Sequence, residues 1–379
     1  MFKSNPHKGI ILWLLSGCFL VYVMVVVGCI TRLTHSGLSI NDWSVMGSLP
    51  PMSEASWNEH FTKYQQSPEF QSVNFEMKLD EFKHIFFWEY IHRMIGRFIG
   101  FVFIGGFAWF LLRKKIEKKL LIKLLILVGL GALQGAIGWW MVKSGIQNKP
   151  AVSHYRLATH LISAFTVFAF TFWYALELIN TKKIEEKHFD SSTGSGLSVT
   201  VEVRAEDQAK TLKMRPWIIS LFCVLILQII YGAFTAGFVE MGPENKPLYR
   251  PGQILNTWPK MGDQWVSDLV TIKGSFFANY FENAAGIQFV HRTVAFIVVT
   301  LVAFIWYRTS KLKLDRSQYR GVTLLIYGIA VQFILGVYTL IYQVPVVLGV
   351  LHQSGAFFLF AVCVYLMFHF RKTKELDSL

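Results

Sequence analysis

The chain has 379 residues, 53% of them hydrophobic, 16% aromatic and only 16% charged, with a mean hydropathy of +0.40. That balance argues against a string of water-soluble domains and for a polytopic membrane protein, because eight apolar runs of about 20 residues are each long enough to cross a hydrocarbon core of roughly 30 Å. The net charge of +13 does not mark a nucleic-acid partner, since the lysines and arginines gather in short loops between alternate spans, the pattern that orients a membrane protein.

The first span is predicted over about residues 10–30, and with no small-residue cleavage site behind it, it stays as a helix. A long outer segment follows, to about residue 83. In it Leu49-Pro50-Pro51 makes a turn and Ser53 caps a short helix whose Trp57, Phe61 and Tyr64 form one apolar face, expected to lie on the membrane surface. The second span, about residues 84–112, carries Glu89-Tyr90-Ile91-His92-Arg93-Met94-Ile95-Gly96-Arg97. An ionisable group at a span centre costs about 2.5–3.5 kcal/mol, so these residues are expected to face protein or ligand. Helical spacing puts Glu89, His92 and Arg93 on one face.

Arg113, Lys114, Lys115, Lys118 and Lys119 mark an inner loop. The third span, about 120–142, holds Gln134 and the small residues Gly131 and Gly135, which predict close helix contact. The fourth, about 153–180, begins with His154, Tyr155 and Arg156 and carries His160. Residues from about 181 to 215, with Ser191-Ser192-Thr193-Gly194-Ser195-Gly196 at their centre, read as a flexible cytoplasmic linker between residues 1–180 and 216–379. Spans five to eight are predicted over about 216–238, 285–307, 321–342 and 346–370. A second long outer segment precedes the sixth span, and Arg308, Lys311, Lys313, Arg316 and Arg320 mark another inner loop. Both termini are therefore predicted inside.

The two sets of four spans repeat. Glu89-x-x-His92-Arg93 corresponds to Gln288-x-x-His291-Arg292, Gln134 to Gln332 and His160 to His352. The predicted fold is all-α: eight transmembrane helices as two parallel-repeat four-helix bundles. Each histidine falls about six to eight residues inside the outer end of its span, roughly 9–12 Å down. A single intramembrane histidine is most simply a hydrogen-bonded structural residue. Four at one level form two facing pairs, which suit axial ligation of a planar haem. A dinuclear copper or zinc site would want further Cys, Asp or Glu ligands. Cys18, Cys29, Cys223 and Cys363 form no such set, and neither a disulfide nor a zinc site is expected. Arg93, Arg97, Arg156 and Arg292 either anchor helix ends or pair with propionates, and the repeat favours propionates for Arg93 and Arg292. Where the first half has Glu89 the second has the neutral Gln288, so chemistry is expected in the first half and a stationary haem in the second. The remaining histidines lie in loops or at span ends, and His35 is left open.

The stretches Thr31 to Ser39, Asp42-Trp43, Leu49-Pro50-Pro51, Glu89 to Arg97, Gln134 to Gly145, Tyr155 to Leu161, Asn256-Thr257-Trp258-Pro259, His291-Arg292 and Leu351-His352-Gln353 together resemble the haem A synthase family over nearly the whole chain. The resemblance implies an inner-membrane oxidoreductase that converts the C8 methyl group of haem O to a formyl group by two hydroxylations and loss of water. It implies a resident haem b on His291 and His352, substrate haem O on His92 and His160, and Glu89 as the catalytic carboxylate; of the arginines read above, Arg292 is then expected at the haem b site and Arg93 and Arg156 at the substrate site. Expected partners are haem O synthase and a membrane or soluble electron acceptor, with a homo-oligomer as a further expectation. His35 stands where many family members carry glutamate, and no outer-loop cysteine pair is present. Two other readings compete: a dihaem b-type cytochrome taking electrons from quinol, which the histidines fit equally well, and a haem or metal transporter, against which the placement of all four at one depth argues.

Overall fold

The computed structural model describes residues 5–40, 49–147, 151–190, 209–242 and 247–372; Asp42, Trp43 and the run Ser191 to Gly196 lie outside them. Among the described residues eight helices are long and apolar enough to cross a membrane. They are α1 (Lys8–Leu33), α4 (Leu79–Leu112), α5 (Lys118–Gln147), α6 (His154–Asp190), α7 (Arg215–Gly237), α9 (Ala284–Thr309), α10 (Arg316–Ile341) and α11 (Val346–His369). The connection from α1 to α4 contains α2 (Glu54–Gln65) and α3 (Pro68–Ser72). The connection from α7 to α9 contains an antiparallel ribbon of β1 (Glu240–Met241) and β2 (Pro247–Tyr249), then α8 (Phe276–Phe281). Long apolar runs become helices because in hydrocarbon every backbone N–H and C=O must be satisfied within its own segment.

Helix α1 packs on α4 and α6, and α5 packs on α6; α7 packs on α9 and α11, and α10 on α11. The two sets meet along a seam formed by α1, α6, α7 and α11. Aromatic rings fill it: Phe168 and Phe357 stand 4.4 Å apart between ring centres, and Phe165 and Phe360 4.9 Å. Because lipid tails are as apolar as these side chains, such interdigitation contributes through dispersion and shape, not through escape from water.

Three expectations change. Ser53 does cap α2, its hydroxyl accepting from the Ser56 amide at 3.2 Å, but the apolar face of α2 is covered by protein. Trp57 meets Phe86, Phe61 meets Phe82, and Tyr64 and Phe82 are fully buried against each other. The reason is that α4 starts at Leu79, earlier than its hydrophobic run suggests, and its first turns form a platform of Phe82, Ile85 and Phe86. His92 consequently lies thirteen positions past the start of its helix, whereas His160, His291 and His352 lie six or seven past theirs. Finally, the interval from 181 to 215 is partly helical: α6 runs on to Asp190, through the helix formers Lys182, Lys183, Glu185, Glu186 and Lys187, and helix resumes at Ala209.

Candidate functional site

Each of the four span histidines lies against a glycine of a neighbouring helix. A Cβ placed at Gly28 would stand 3.3 Å from His92 Nε2, and one at Gly232 would stand 3.3 Å from His291 Cε1. At Gly138 and Gly336 it would come within 2.9 Å of the Cε1 atoms of His160 and His352. The same contact thus recurs on the first and third spans of each set. The predicted close-packing residues Gly131 and Gly135 seat no ring, since a Cβ at either meets nothing within 4 Å. A signal for the working glycines was available, because Gln134 and Gln332 each precede one by four residues, a single helical turn.

Those glutamines orient the rings. Gln134 Nε2 lies 3.2 Å from His160 Nδ1 and 3.1 Å from the His160 carbonyl. Gln332 stands in the same relation to His352, at 3.2 and 3.0 Å. Because the amide NH2 is a donor, the contact is a hydrogen bond given to Nδ1, and together with the bond to the carbonyl it fixes the orientation of each ring. On α7, Gln228 Nε2 approaches His291 Nε2 at 3.4 Å, and His291 Nδ1 is buried without a partner among the described residues. Sequence comparison of the halves missed Gln228, because the residue at its place in α1 is Met24.

The rings of His291 and His352 are 6.4 Å apart between centres, at 80°. A metal–imidazole bond is about 2 Å long and a ring centre lies about 1 Å behind its nitrogen, so two imidazoles on opposite sides of one ion would have centres about 6 Å apart. The pair, its glycine cradles and the unpartnered His291 Nδ1 fit an axially ligated iron porphyrin. His92 and His160 lie within electrostatic reach of each other. No group of three or more His, Cys, Asp or Glu side chains converges among the described residues, so the donors on offer are imidazole pairs.

Glu89 is 2% exposed. Its Oε2 accepts from the Ser39 amide at 2.7 Å, the Ser39 hydroxyl at 2.7 Å and the Ile40 amide at 3.0 Å. Arg93 joins Glu89 Oε1 at 2.5 Å and the Ile40 carbonyl at 2.8 Å. Glu89 therefore pins the segment after α1 onto α4. Gln288 pins the corresponding loop of the second set, but there its Nε2 donates to the carbonyls of Pro251 at 2.6 Å and Ile254 at 2.8 Å. A loop presenting N–H and O–H groups needs an acceptor, and one presenting carbonyls needs a donor. Loop pairing thus accounts for the Glu89/Gln288 difference as well as chemistry does.

Arg292, favoured from sequence as a propionate partner, and Arg156, for which anchoring and propionate pairing were both open, have protein partners. Arg292 donates to the carbonyls of Thr257, Pro259 and Lys260 at 2.9–3.0 Å. Arg156 donates to the Trp140 carbonyl at 2.8 Å and stacks over the Trp140 ring.

A family model described as cytochrome oxidase assembly protein, COX15-CtaA, matches residues 11–364. A relative from Flavobacterium psychrophilum named Heme A synthase is 43% identical over 98% of this chain and all of its own length. One of the same name from Nitrosospira multiformis is 38% identical over 98% of this chain and 96% of its own. The Arabidopsis thaliana protein Heme A synthase COX15 is 38% identical over 96% of this chain and 74% of its own. A model that spans all eight helices, with relatives aligned nearly end to end, shows that the chain belongs to the COX15-CtaA family of cytochrome oxidase assembly proteins.

Proposed function

We propose that this multi-pass membrane protein is a haem A synthase, oxidising the C8 methyl group of haem O to a formyl group and so supplying haem A to a terminal oxidase. The observation that carries the reading is the near-full-length match to relatives named Heme A synthase in a chain whose span histidines are each seated on a glycine. In this reading His92 and His160 hold the substrate in the first four spans, and His291 and His352 hold a resident haem b in the last four. The resident haem, when bound, supplies a one-electron acceptor close to the substrate.

Overall, the methyl group and one water become a formyl group, four protons and four electrons, through two hydroxylations and one dehydration. Glu89 keeps a buried negative charge one helical turn from His92, where positive charge develops on the reacting carbon. Its hold on Ser39 and Ile40 ties the segment after α1 to α4. The electrons pass on to a membrane or soluble acceptor, and haem O synthase is the natural donor of substrate. Basic loops at Arg113 to Lys119 and Arg308 to Arg320 support cytoplasmic termini and haem sites near the outer face of the inner membrane.

The test is conversion of haem O by membranes containing the protein, with pigments identified by mass. Haem A and a hydroxylated intermediate are expected. Haem b as the only pigment, with no conversion, would make the protein an electron-transfer cytochrome. The glycine cradles carry a further expectation. Gly336→Ala places a methyl within 2.9 Å of the His352 ring, so the ring must tilt, and haem b retention should fall about tenfold, as for other changes that disturb ligand orientation. Gly131→Ala, made where nothing is near, should leave the visible spectrum unchanged.

A further inference from the structure

One half-buried cluster is not used by the reading above. Arg32 lies one helical turn beyond Gly28, the glycine that seats His92. Its guanidinium crosses the seam, donating from Nε to the Ala236 carbonyl at 2.7 Å and from Nη2 to the Gly237 carbonyl at 3.2 Å. Ala236 in turn lies one helical turn beyond Gly232, which seats His291. From the second long connection, Arg250 donates to His35 Nε2. The residue after it, Pro251, is the one Gln288 pins beside the second histidine pair.

Arg32 therefore crosses the seam about one helical turn from the glycines that seat His92 and His291, and Arg250, bonded to His35, lies within its electrostatic reach. Neither has a carboxylate within ion-pair distance among the described residues, in contrast to Arg93 with Glu89. His35 does not add charge: burial and the neighbouring Arg250 and Arg32 push its pKa down to about 3, so it receives the Arg250 N–H as a neutral acceptor. Glu69 lies within electrostatic reach of both arginines, but it is 8% exposed and held by the Tyr64 hydroxyl at 3.2 Å, and burial pushes its pKa up to about 8. Partly buried cations with no anion beside them are costly, and among the described residues the bonds above leave N–H groups of both guanidiniums without a protein acceptor, since a guanidinium has five.

We propose that Arg32 and Arg250 form a carboxylate subsite on the seam, which binds the propionate groups of the porphyrins held by the flanking histidine pairs. The proposal rests on the haem A synthase reading for its ligand. It shifts propionate recognition away from Arg93, Arg156 and Arg292, whose guanidiniums bond to carbonyls or to Glu89.

The probe is iron protoporphyrin IX against its dimethyl ester, which has the same ring and iron without the carboxylate charges. Each is titrated into haem-depleted full-length protein and followed by Soret absorbance. The free acid should bind about 10- to 100-fold more tightly than the ester. Arg32→Gln and Arg250→Gln should each reduce that preference about tenfold while ester affinity stays unchanged, and Arg32→Lys should restore most of it. Arg292→Gln, which breaks bonds to carbonyls, should weaken both ligands alike. If Arg32→Gln and Arg250→Gln keep the full preference, or weaken acid and ester equally, the subsite is refuted while the enzyme reading stands. Failure of the unsubstituted protein to take up either porphyrin would overturn both.

Discussion

Glu89→Gln is expected to lower conversion of haem O by about 10²–10⁴-fold, the range seen when a positioned acid–base or charged group is lost, while the resident haem b stays in place. The substitution is nearly isosteric, so its effect comes from charge and hydrogen bonding. Glu89 Oε2 alone takes three donors, and Oε1 takes Arg93. An amide has one oxygen for these four, and its NH2 must face either Arg93 or the Ser39 and Ile40 donors. Loss of charge and loss of the loop pin therefore occur together, and two readouts separate them. If substrate affinity is preserved and only turnover falls, the buried charge is what the reaction needs. If both fall in proportion, the pin accounts for the effect. Undiminished haem A would remove Glu89 from the mechanism. The reverse exchange, Gln288→Glu, sets a buried carboxylate against the carbonyls of Pro251 and Ile254. It should destabilise the second half by about 3–5 kcal/mol, as for other unpaired buried charges, and be seen as a lowered melting temperature in detergent.

What the amino-acid sequence revealed, and what it hid, divides along the range of the interactions. The eight spans, the Ser53 cap and the histidine motif are written in residues a few positions apart, where helical period and turn chemistry act. The match of Gln134 with Gln332 was also legible, because two copies of one pattern reinforce each other. Contacts across helices were not. That Gly138 and Gly336 seat imidazoles, while Gly131 and Gly135 face open space, depends on the rotation of α5 and α10 about their axes. Gln228 stands opposite His291 with no counterpart at Met24, so the repeat could not mark it. The carbonyl partners of Arg292 were hidden too, because the loop from Leu255 to Lys260 that supplies them is more than thirty positions away in the chain.

The division of labour between the halves has a sharper test in a pair of histidine substitutions. His291→Ala should abolish retention of haem b: it removes one donor of the pair whose rings stand 6.4 Å apart, and loss of a direct ligand exceeds the 10- to 100-fold cost of losing a residue that only orients one. Gln228→Leu, which removes an orienting contact at 3.4 Å, should fall within that smaller range. His92→Ala should do the opposite of His291→Ala, leaving haem b bound and abolishing uptake of haem O. Both changes remove an imidazole that rests on a glycine, Gly28 in one case and Gly232 in the other, so each opens a comparable space and the general damage to packing is matched. A difference in which pigment disappears then reports the site and not the fold. Should His291→Ala keep its full haem b while His92→Ala loses it, the resident and substrate sites are reversed, and Glu89 lies beside the stationary haem. Its buried charge would then tune the potential of an electron acceptor and could not stabilise a reacting carbon.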